Sequence, residues 1–169
     1  MNLNESFHLV THSQAYQQWI TKNKDSFLCS FFRIREKNPD PPLQVDFYDP
    51  KKDTISSFVV DHGIVTLQQD GVEALKKKEE VIQQLHLEHV KLSEEEAMTL
   101  VRDVLERDYP QEQIIKFIII LQCKEQARWN ISAIMHSLHL FNVKIDAATG
   151  NILDKSFTNL LGFVQKQDE

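Results

Sequence analysis

Two pairs of histidines have a spacing that metal sites use. His86 and His89, in "HLEH", stand three residues apart, as do His136 and His139, in "HSLH". A zinc site needs three or four ligands held in a fixed geometry. Neither pair has a Cys or acidic partner at a recognisable spacing, and residues three apart on an extended segment face opposite sides of it. We therefore predict exposed histidines, no metal site and no cofactor.

The two cysteines, Cys29 and Cys123, lie among large apolar residues in predicted strands. A nucleophilic cysteine needs a nearby base and polar surroundings that favour its thiolate. Neither is visible here, so both cysteines are expected to be buried and to act as small apolar residues. Two cysteines also provide no disulfide framework.

The remaining patterns that could carry chemistry are acidic or glycine-rich. Asp146, Asn151 and Asp154 could suggest a calcium loop, but their spacing differs from the alternating oxygen ligands of an EF-hand, and turn chemistry explains them. The chain has only four glycines, and it shows no phosphate-binding loop, nucleophile elbow or dinucleotide fingerprint. We therefore predict no catalytic residue and a protein that is not an enzyme.

Trp129 and Asn130, at the start of a predicted strand, are candidate interaction or structural residues. A tryptophan at such a position usually packs in a core or on a sheet face, which is the interpretation favoured here. The alternative is a binding anchor, because tryptophan is enriched at interaction hot spots. Trp19, in a predicted helix, allows the same two interpretations, and core packing is again favoured.

Composition limits the class of protein. The 169 residues are 41% hydrophobic and 26% charged, which suits one globular domain or two small ones. A net charge of -6 argues against a nucleic-acid partner, which would require clustered Lys and Arg. The most apolar run, "IIKFIIIL", is too short to span a membrane, and the N-terminus lacks the basic and apolar regions of a signal peptide. We expect no membrane association and a cytoplasmic location.

Two helix N-termini can be recognised in the sequence, and the helices that they begin help to position these residues. In "KLSEEEAMTLVRDVLERDYP", Ser93 and Glu96 form a capping box, and apolar residues recur at helical spacing until Pro110 ends the helix. A weaker box, Thr11 with Gln14, predicts a second helix, which continues to Ile20.

Each predicted helix is followed by about four strands. The first four are "SFLCSFFRIRE", "LQVDFYD", "TISSFVVD" and "IVTLQQ", and the second four are "QIIKFIIILQC", "WNISAIM", "LFNVKID" and "NILDKSF". Thr11 to Asp61 spans 50 residues and Ser93 to Asp146 spans 53, which suggests an internal duplication.

We therefore predict an α+β fold of two tandem helix-plus-antiparallel-sheet units joined by a short helix. The predicted parts are an N-terminal unit (1–70), a connecting helix and extended segment (71–91), and a C-terminal unit (92–169). Val72, Leu75, Glu79 and Ile82 have the spacing that suggests the connecting helix.

The stretch "VKIDAATGNIL" predicts a hairpin. Asp146 can accept hydrogen bonds from the backbone two residues on, and Gly150 can take the positive φ that closes a hairpin with a bulge. Val143 and Ile145 then point to one face of the sheet while Lys144 and Asp146 point to the other. The alternating residues and the turn residues of this stretch therefore set the register of the two strands.

This hairpin resembles the closing hairpin of PepSY-type domains, which follows the pattern apolar-x-apolar-Asp-Ala-x-Thr-Gly-x-apolar-apolar. The matching residues are Val143, Ile145, Asp146, Ala147, Thr149, Gly150, Ile152 and Leu153. The capped helix at Ser93 also stands where such domains carry theirs, so the resemblance covers residues 92 to 158. "LQCKEQARWNIS" together with the hairpin is similar to small archaeal proteins with one PepSY-like unit. The first unit keeps Asp61 and Gly63 but lacks the Ala-x-Thr spacing.

The resemblance implies a helix against an antiparallel sheet and a domain that is inhibitory, chaperone-like or protein-binding, without catalytic activity. The tandem arrangement is also similar, in topology, to the saddle-shaped proteins that inhibit β-lactamases. We predict a non-catalytic module that binds an unknown protein partner, a peptidase or another protein. The alternative is a ligand-binding protein or enzyme of cystatin-like fold, with a pocket around Trp129, His136 and Asp146. A homodimer formed by strand pairing is predicted if "SFLCSFFRI" or "KFIIILQ" is an edge strand.

Overall fold

The computed structural model describes residues 2–37, 40–76 and 80–161. The helices are α1 (Leu3–His12), α2 (Gln14–Ile20) and α3 (Glu94–Asp108), with a short 3₁₀ turn at Leu87–His89. The strands are β1 (Phe27–Arg35), β2 (Leu43–Asp49), β3 (Thr54–Asp61), β4 (Ile64–Glu73), β5 (Ile114–Lys124), β6 (Gln126–Met135), β7 (His139–Asp146) and β8 (Ile152–Asn159). The eight predicted strands are thereby confirmed, with small shifts at their ends.

All eight strands form one antiparallel sheet in the order β4-β3-β2-β1-β5-β6-β7-β8. The prediction of two tandem units with separate sheets is wrong, because β1 pairs directly with β5, from Ser30 opposite Gln122 to Arg35 opposite Phe117. If the halves had separate sheets, each of these apolar strands would be an unpaired edge, which invites association with other chains. Pairing β1 with β5 covers both edges within the chain. The coarser prediction, α+β with an antiparallel sheet, is confirmed.

The connecting segment is not the predicted helix. Val72 belongs to β4, which continues to Glu73 and pairs with β3. Residues 74–76 and 80–86 have no regular structure, and Glu79 lies outside the described residues. Of the apolar residues that suggested the helix, Ile82 packs together with Ala74 beside Cys29, whereas Leu75 is fully exposed, so the spacing does not correspond to one packed face.

The predicted capping box of α3 is confirmed. The Ser93 hydroxyl accepts from the Glu96 N–H at 3.3 Å, and the Ser93 N–H donates to the Glu96 carboxylate at 2.8 Å. Burial of Ala97, Val101 and Leu105 places the apolar side of α3 on the sheet.

The N-terminal helices differ from the prediction. α1 was not predicted, although Asn2, a favourable N-cap residue, forms a capping box with Glu5. Ser13, not Thr11, caps α2 by accepting from the Tyr16 N–H at 3.2 Å. The Thr11 hydroxyl instead donates to the Phe7 carbonyl within α1.

The three helices pack on one face of the sheet and form the main core with it. Two tryptophans fix the helices to the strands. In the first half, the Trp19 indole N–H of α2 donates to the Asp70 carboxylate in β4 at 3.0 Å. In the second half, the Trp129 N–H of β6 donates to the Leu92 carbonyl before α3 at 3.0 Å. Each half therefore carries its own hydrogen bond between helix and sheet regions.

The hairpin between β7 and β8 has the predicted geometry. The Asp146 carboxylate accepts from the N–H groups of Ala148, at 2.7 Å, and Thr149, at 3.1 Å. Gly150 has φ +78°, and its N–H donates to the Asp146 carbonyl at 2.9 Å. The ladder is irregular between Lys144 and Ile145, which is the predicted bulge.

Replacing Gly150 with Val is expected to lower the free energy of unfolding by about 1–3 kcal/mol, because a β-branched residue is strained at this positive φ. A Cβ at position 150 would lie 3.7 Å from Leu92 Cδ1 and 3.8 Å from Leu100 Cδ1, so the Cβ itself fits. Ala should therefore cost less than Val, and Asn, which tolerates this conformation, should cost least. Thermal melts of the three variants measure the ranking. A Val variant that melts like the wild type would contradict the role assigned to this turn.

Candidate functional site

The sheet face opposite the three helices is the candidate site, named here the open face. Because side chains alternate along a strand, residues between the core positions point to this face. Among the described residues, no helix covers it. The open face consists of Phe32, Ile34, Gln44, Asp46, Ser57, Val59, Ile118, Ile120, Asn130, Ser132, Ile134, Leu140, Asn142 and Lys144.

The centre of the open face is apolar. Across the β1–β5 junction, Phe32 lies opposite Ile120 and Ile34 lies opposite Ile118. Phe32, Ile118 and Ile120 are half-buried by their neighbours, and Ile34 is 37% exposed. The middle of each strand, around Phe31 and Phe32 in β1 and around Ile119 and Ile120 in β5, is apolar on both faces, a pattern usual for strands covered on both sides. The central strip is therefore an apolar surface without a cover from the described part of the chain.

A polar cluster lies on the β2 side of this strip, around the buried carboxylate of Asp46. This carboxylate accepts hydrogen bonds from the Ser30 hydroxyl at 2.8 Å, the Gln44 amide at 2.8 Å and the Ser57 hydroxyl at 2.6 Å. Hydrogen bonds to a charged group are stronger than those between neutral groups. Three neutral donors thus satisfy the charge and hold the side chains of three neighbouring strands in place.

A second polar cluster lies on the β6–β7 side of the strip. The Asn142 amide donates to the Asn130 side-chain carbonyl at 2.8 Å and to the Ser132 hydroxyl at 2.8 Å. Asn130, a candidate residue from the sequence, thus lies on the open face, next to Ile120 on the neighbouring strand. The apolar strip therefore has a polar group fixed by hydrogen bonds on each side.

The connecting segment covers one end of the open face. Ala74 and Ile82 pack there with Cys29 and Tyr48. Burial raises the pKa of the Cys29 thiol to about 12, as expected for a cysteine that acts as an apolar residue. Cys123 departs from the prediction, because it is only partly buried and its thiol contacts the Gln83 side-chain oxygen at 3.4 Å.

The pocket considered for a ligand-binding protein or enzyme is not assembled. Trp129 is 1% exposed and lies in the core, so it offers no surface to a ligand. Asp146 pairs with Arg128 at one end of the β6–β7 ladder, whereas His136 follows the other end of β6. At about 3.3 Å per residue, the seven steps from Trp129 to His136 span roughly 23 Å. Asp146 and Gly150 serve the hairpin turn instead.

The histidine pairs also remain without metal-site geometry. The rings of His86 and His89 are 5.6 Å apart on exposed residues. His136 is exposed, while His139 stacks on Phe157 with ring centres 4.8 Å apart. Within residues 2–37, 40–76 and 80–161, no group of three or more His, Cys, Asp or Glu side chains is placed to hold a metal ion.

Comparisons with known proteins give one distant structural similarity and no family. No protein-family model matches the chain, and no curated protein matches it at a significant level. One similar crystal structure is that of a "putative lipoprotein" from Clostridium difficile 630, which shares 15% identity over 85% of this chain and 90% of that chain, with a TM-score of 0.49. A similarity this low carries no argument about function, and the resemblance to PepSY-type domains stays a prediction. None of the helices in the described residues has the length and apolar character needed to cross a membrane.

Proposed function

We propose that this protein is a non-catalytic module that binds a protein partner through the open face. The observation that carries the proposal is the apolar strip of Phe32, Ile34, Ile118 and Ile120, which no helix of the described residues covers and which has a hydrogen-bonded polar cluster on each side. Protein interfaces have this composition, with an apolar centre surrounded by a polar rim.

The size of the open face suits such an interface. The six strands that contribute to the open face, at a spacing of about 4.8 Å, make it roughly 24 Å wide, and strands of this length extend about 25 Å. The projected area is on the order of 600 Å², the same order as the roughly 800 Å² that each partner contributes to a standard protein interface. A strip of four side chains would occupy its centre, where binding hot spots concentrate.

The proposed partner is a different protein, because the structure disfavours a second copy joined by strand pairing. The homodimer prediction required "SFLCSFFRI" or "KFIIILQ" at an edge of the sheet, but these segments form β1 and β5 in its middle. The edge strands are β4 and β8, which carry the exposed charged residues Glu73, Asp154 and Lys155. Charged side chains on an edge strand oppose association through it.

The test is a comparison of Ile34→Lys with Leu138→Lys. Both residues are exposed and apolar, at 37% and 47%, but Leu138 lies in the turn between β6 and β7 and not on the open face. A partner is first isolated from the native host with the wild-type protein as bait and then purified. Calorimetric titration should show that Ile34→Lys weakens binding at least tenfold, about 1.4 kcal/mol, while Leu138→Lys leaves it unchanged.

Circular dichroism of both variants checks that each keeps the wild-type fold. Equal affinity of the wild type and Ile34→Lys would contradict the proposal, as would an equal loss in both variants. Light scattering of the wild type at several concentrations identifies a second copy as the partner, if the apparent mass doubles and Ile34→Lys prevents the doubling.

A further inference from the structure

A groove on the helix side of the molecule combines charged and apolar walls. It has a volume of about 590 Å³ and lies between the start of α1, the end of β1 and the start of α3. Six charged residues line it, of which three are basic and three acidic: Arg33, Arg35, Lys91, Asp40, Glu94 and Glu95. Leu3, Leu87, Val90 and Leu92 form an apolar wall. The volume falls within the range of roughly 300–1,000 Å³ that small-molecule sites have.

The charged groups form a chain of contacts at the base of the groove. An Arg33 terminal nitrogen lies 3.4 Å from a Glu94 carboxylate oxygen, and a terminal nitrogen of Arg35 lies 2.5 Å from Glu95. The side chain of Arg33 is 8% exposed, that of Glu94 11% and that of Arg35 18%. Burial lowers the pKa of Arg35, but the hydrogen bond with Glu95 and the charge of Glu94 outweigh it and raise the pKa overall. Arg35 is therefore charged, and its side chain is the more accessible of the two arginines.

Buried polar atoms without an aligned hydrogen bond concentrate at this place. Of five buried side-chain atoms without an aligned hydrogen bond among the described residues, three belong to the groove: Arg33 Nε, Arg35 Nε and Glu94 Oε1. Arg35 Nε and Glu94 Oε1 lie 2.7 Å apart and satisfy each other as an ion pair, so Arg33 Nε is the atom left to be accounted for. Buried polar atoms are nearly always satisfied in folded proteins, and exceptions often mark functional sites.

We propose that this groove binds a small zwitterion with an aliphatic side chain, namely a free aliphatic α-amino acid or a short peptide of such residues. The arginines are donors matched to a ligand carboxylate, which a guanidinium binds through two parallel hydrogen bonds. Glu94 and Glu95 are acceptors matched to a ligand ammonium group. The equal number of basic and acidic lining residues favours a zwitterion over a simple anion, which would face three carboxylates.

The apolar wall supplies selectivity for the side chain of the ligand. Leu3 lies in α1, whereas Leu87, Val90 and Leu92 belong to the segment before α3, and all four are partly buried against the core. An aliphatic side chain placed here would remove apolar surface from water, which favours binding. A polar or charged side chain at the same place would lose its hydration without this gain.

The experiment is an NMR titration of the ¹⁵N-labelled wild-type chain with four compounds. L-leucine and leucyl-leucine carry both charges, isocaproate carries only the carboxylate, and isopentylamine carries only the amine. Leucine or leucyl-leucine should produce saturable shifts in the amide signals of Arg35, Val90 and Ser93. Isocaproate and isopentylamine should bind at least tenfold more weakly, because each can form only one of the two sets of charge-assisted hydrogen bonds.

Two arginine variants test whether leucine binds in the groove. Arg35→Gln should weaken leucine binding at least tenfold, whereas Arg107→Gln, at the exposed end of α3 beside Asp108, should leave it unchanged. The proposal is overturned if neither zwitterion shifts these amides at millimolar concentration, if isocaproate or isopentylamine binds as well as leucine, or if both variants bind like the wild type. The wild-type titrations decide the first two outcomes without any variant, so a folding defect in Arg35→Gln cannot obscure them.

Discussion

Replacing Trp129 with Ala is expected to lower the free energy of unfolding by about 3–5 kcal/mol, a large share of the stability of a domain of this size. The side chain is 1% exposed, so its removal leaves a cavity in the core between the sheet and α3. The change also deprives the Leu92 carbonyl of its donor at 3.0 Å. Urea unfolding followed by circular dichroism measures the loss.

Trp129→Phe separates the two contributions, because Phe keeps most of the apolar volume and removes only the indole N–H. The expected loss is about 1–3 kcal/mol, the cost of an unsatisfied buried carbonyl together with the smaller ring. A loss below about 1 kcal/mol for Trp129→Ala would contradict the role of this side chain as the main anchor of the second half.

The same unfolding curves test the single sheet. Trp19→Phe removes the corresponding donor in the first half, where the indole N–H binds Asp70. Because β1 and β5 pair directly, either variant should shift one common transition, as in a two-state domain. Two separate transitions, with each variant affecting only one of them, would instead indicate two independent units.

Replacing Glu94 with Leu should cost about 3–5 kcal/mol, because it leaves the buried Arg33 charge without its partner. The 3.4 Å contact joins two side chains that are both about nine-tenths buried. Arg35 retains Glu95 and is more exposed, so the loss is assigned mainly to Arg33. Denaturant unfolding at neutral pH measures this change as well.

The double variant Arg33→Met with Glu94→Leu should recover most of that loss, since replacing both members of a buried ion pair by apolar residues is often neutral. Glu106→Leu is the matched control, because Glu106 is exposed on the same helix. It should change stability by less than about 0.5 kcal/mol. If Glu94→Leu costs no more than Glu106→Leu, or if the double variant is no better than Glu94→Leu alone, the ion pair does not have this energetic role.

The parts of the fold that were predictable from sequence depend on local signals. The capping box of Ser93 and Glu96, the turn chemistry of Asp146 and Gly150, and the alternation within each strand involve residues close together in the chain. The pairing of β1 with β5 has no such signal, because Ser30 and its partner Gln122 are separated by 92 positions. Two meanders of four strands are compatible with one sheet or two, and the sequence pattern of each strand is the same in both.

The candidate site was only partly predictable for a related reason. Asn130 was singled out from the sequence, but its hydrogen-bond partner Asn142, twelve residues further along the chain on another strand, was not. The apolar strip was hidden because β1 and β5 carry apolar residues on both faces, so alternation does not reveal which face remains open. The groove beside Arg33 brings together three distant segments and therefore leaves no pattern in any one of them.

The pairing of β1 with β5 also determines when the protein can complete its fold during synthesis. The ribosome makes the first four strands well before β5, so the apolar edge of β1 stays unpaired until residues near Gln122 have emerged. A contact between such distant residues carries a loop-closure cost and slows folding. The nascent chain is therefore most prone to aggregate through a free strand edge while only its first half has been synthesised.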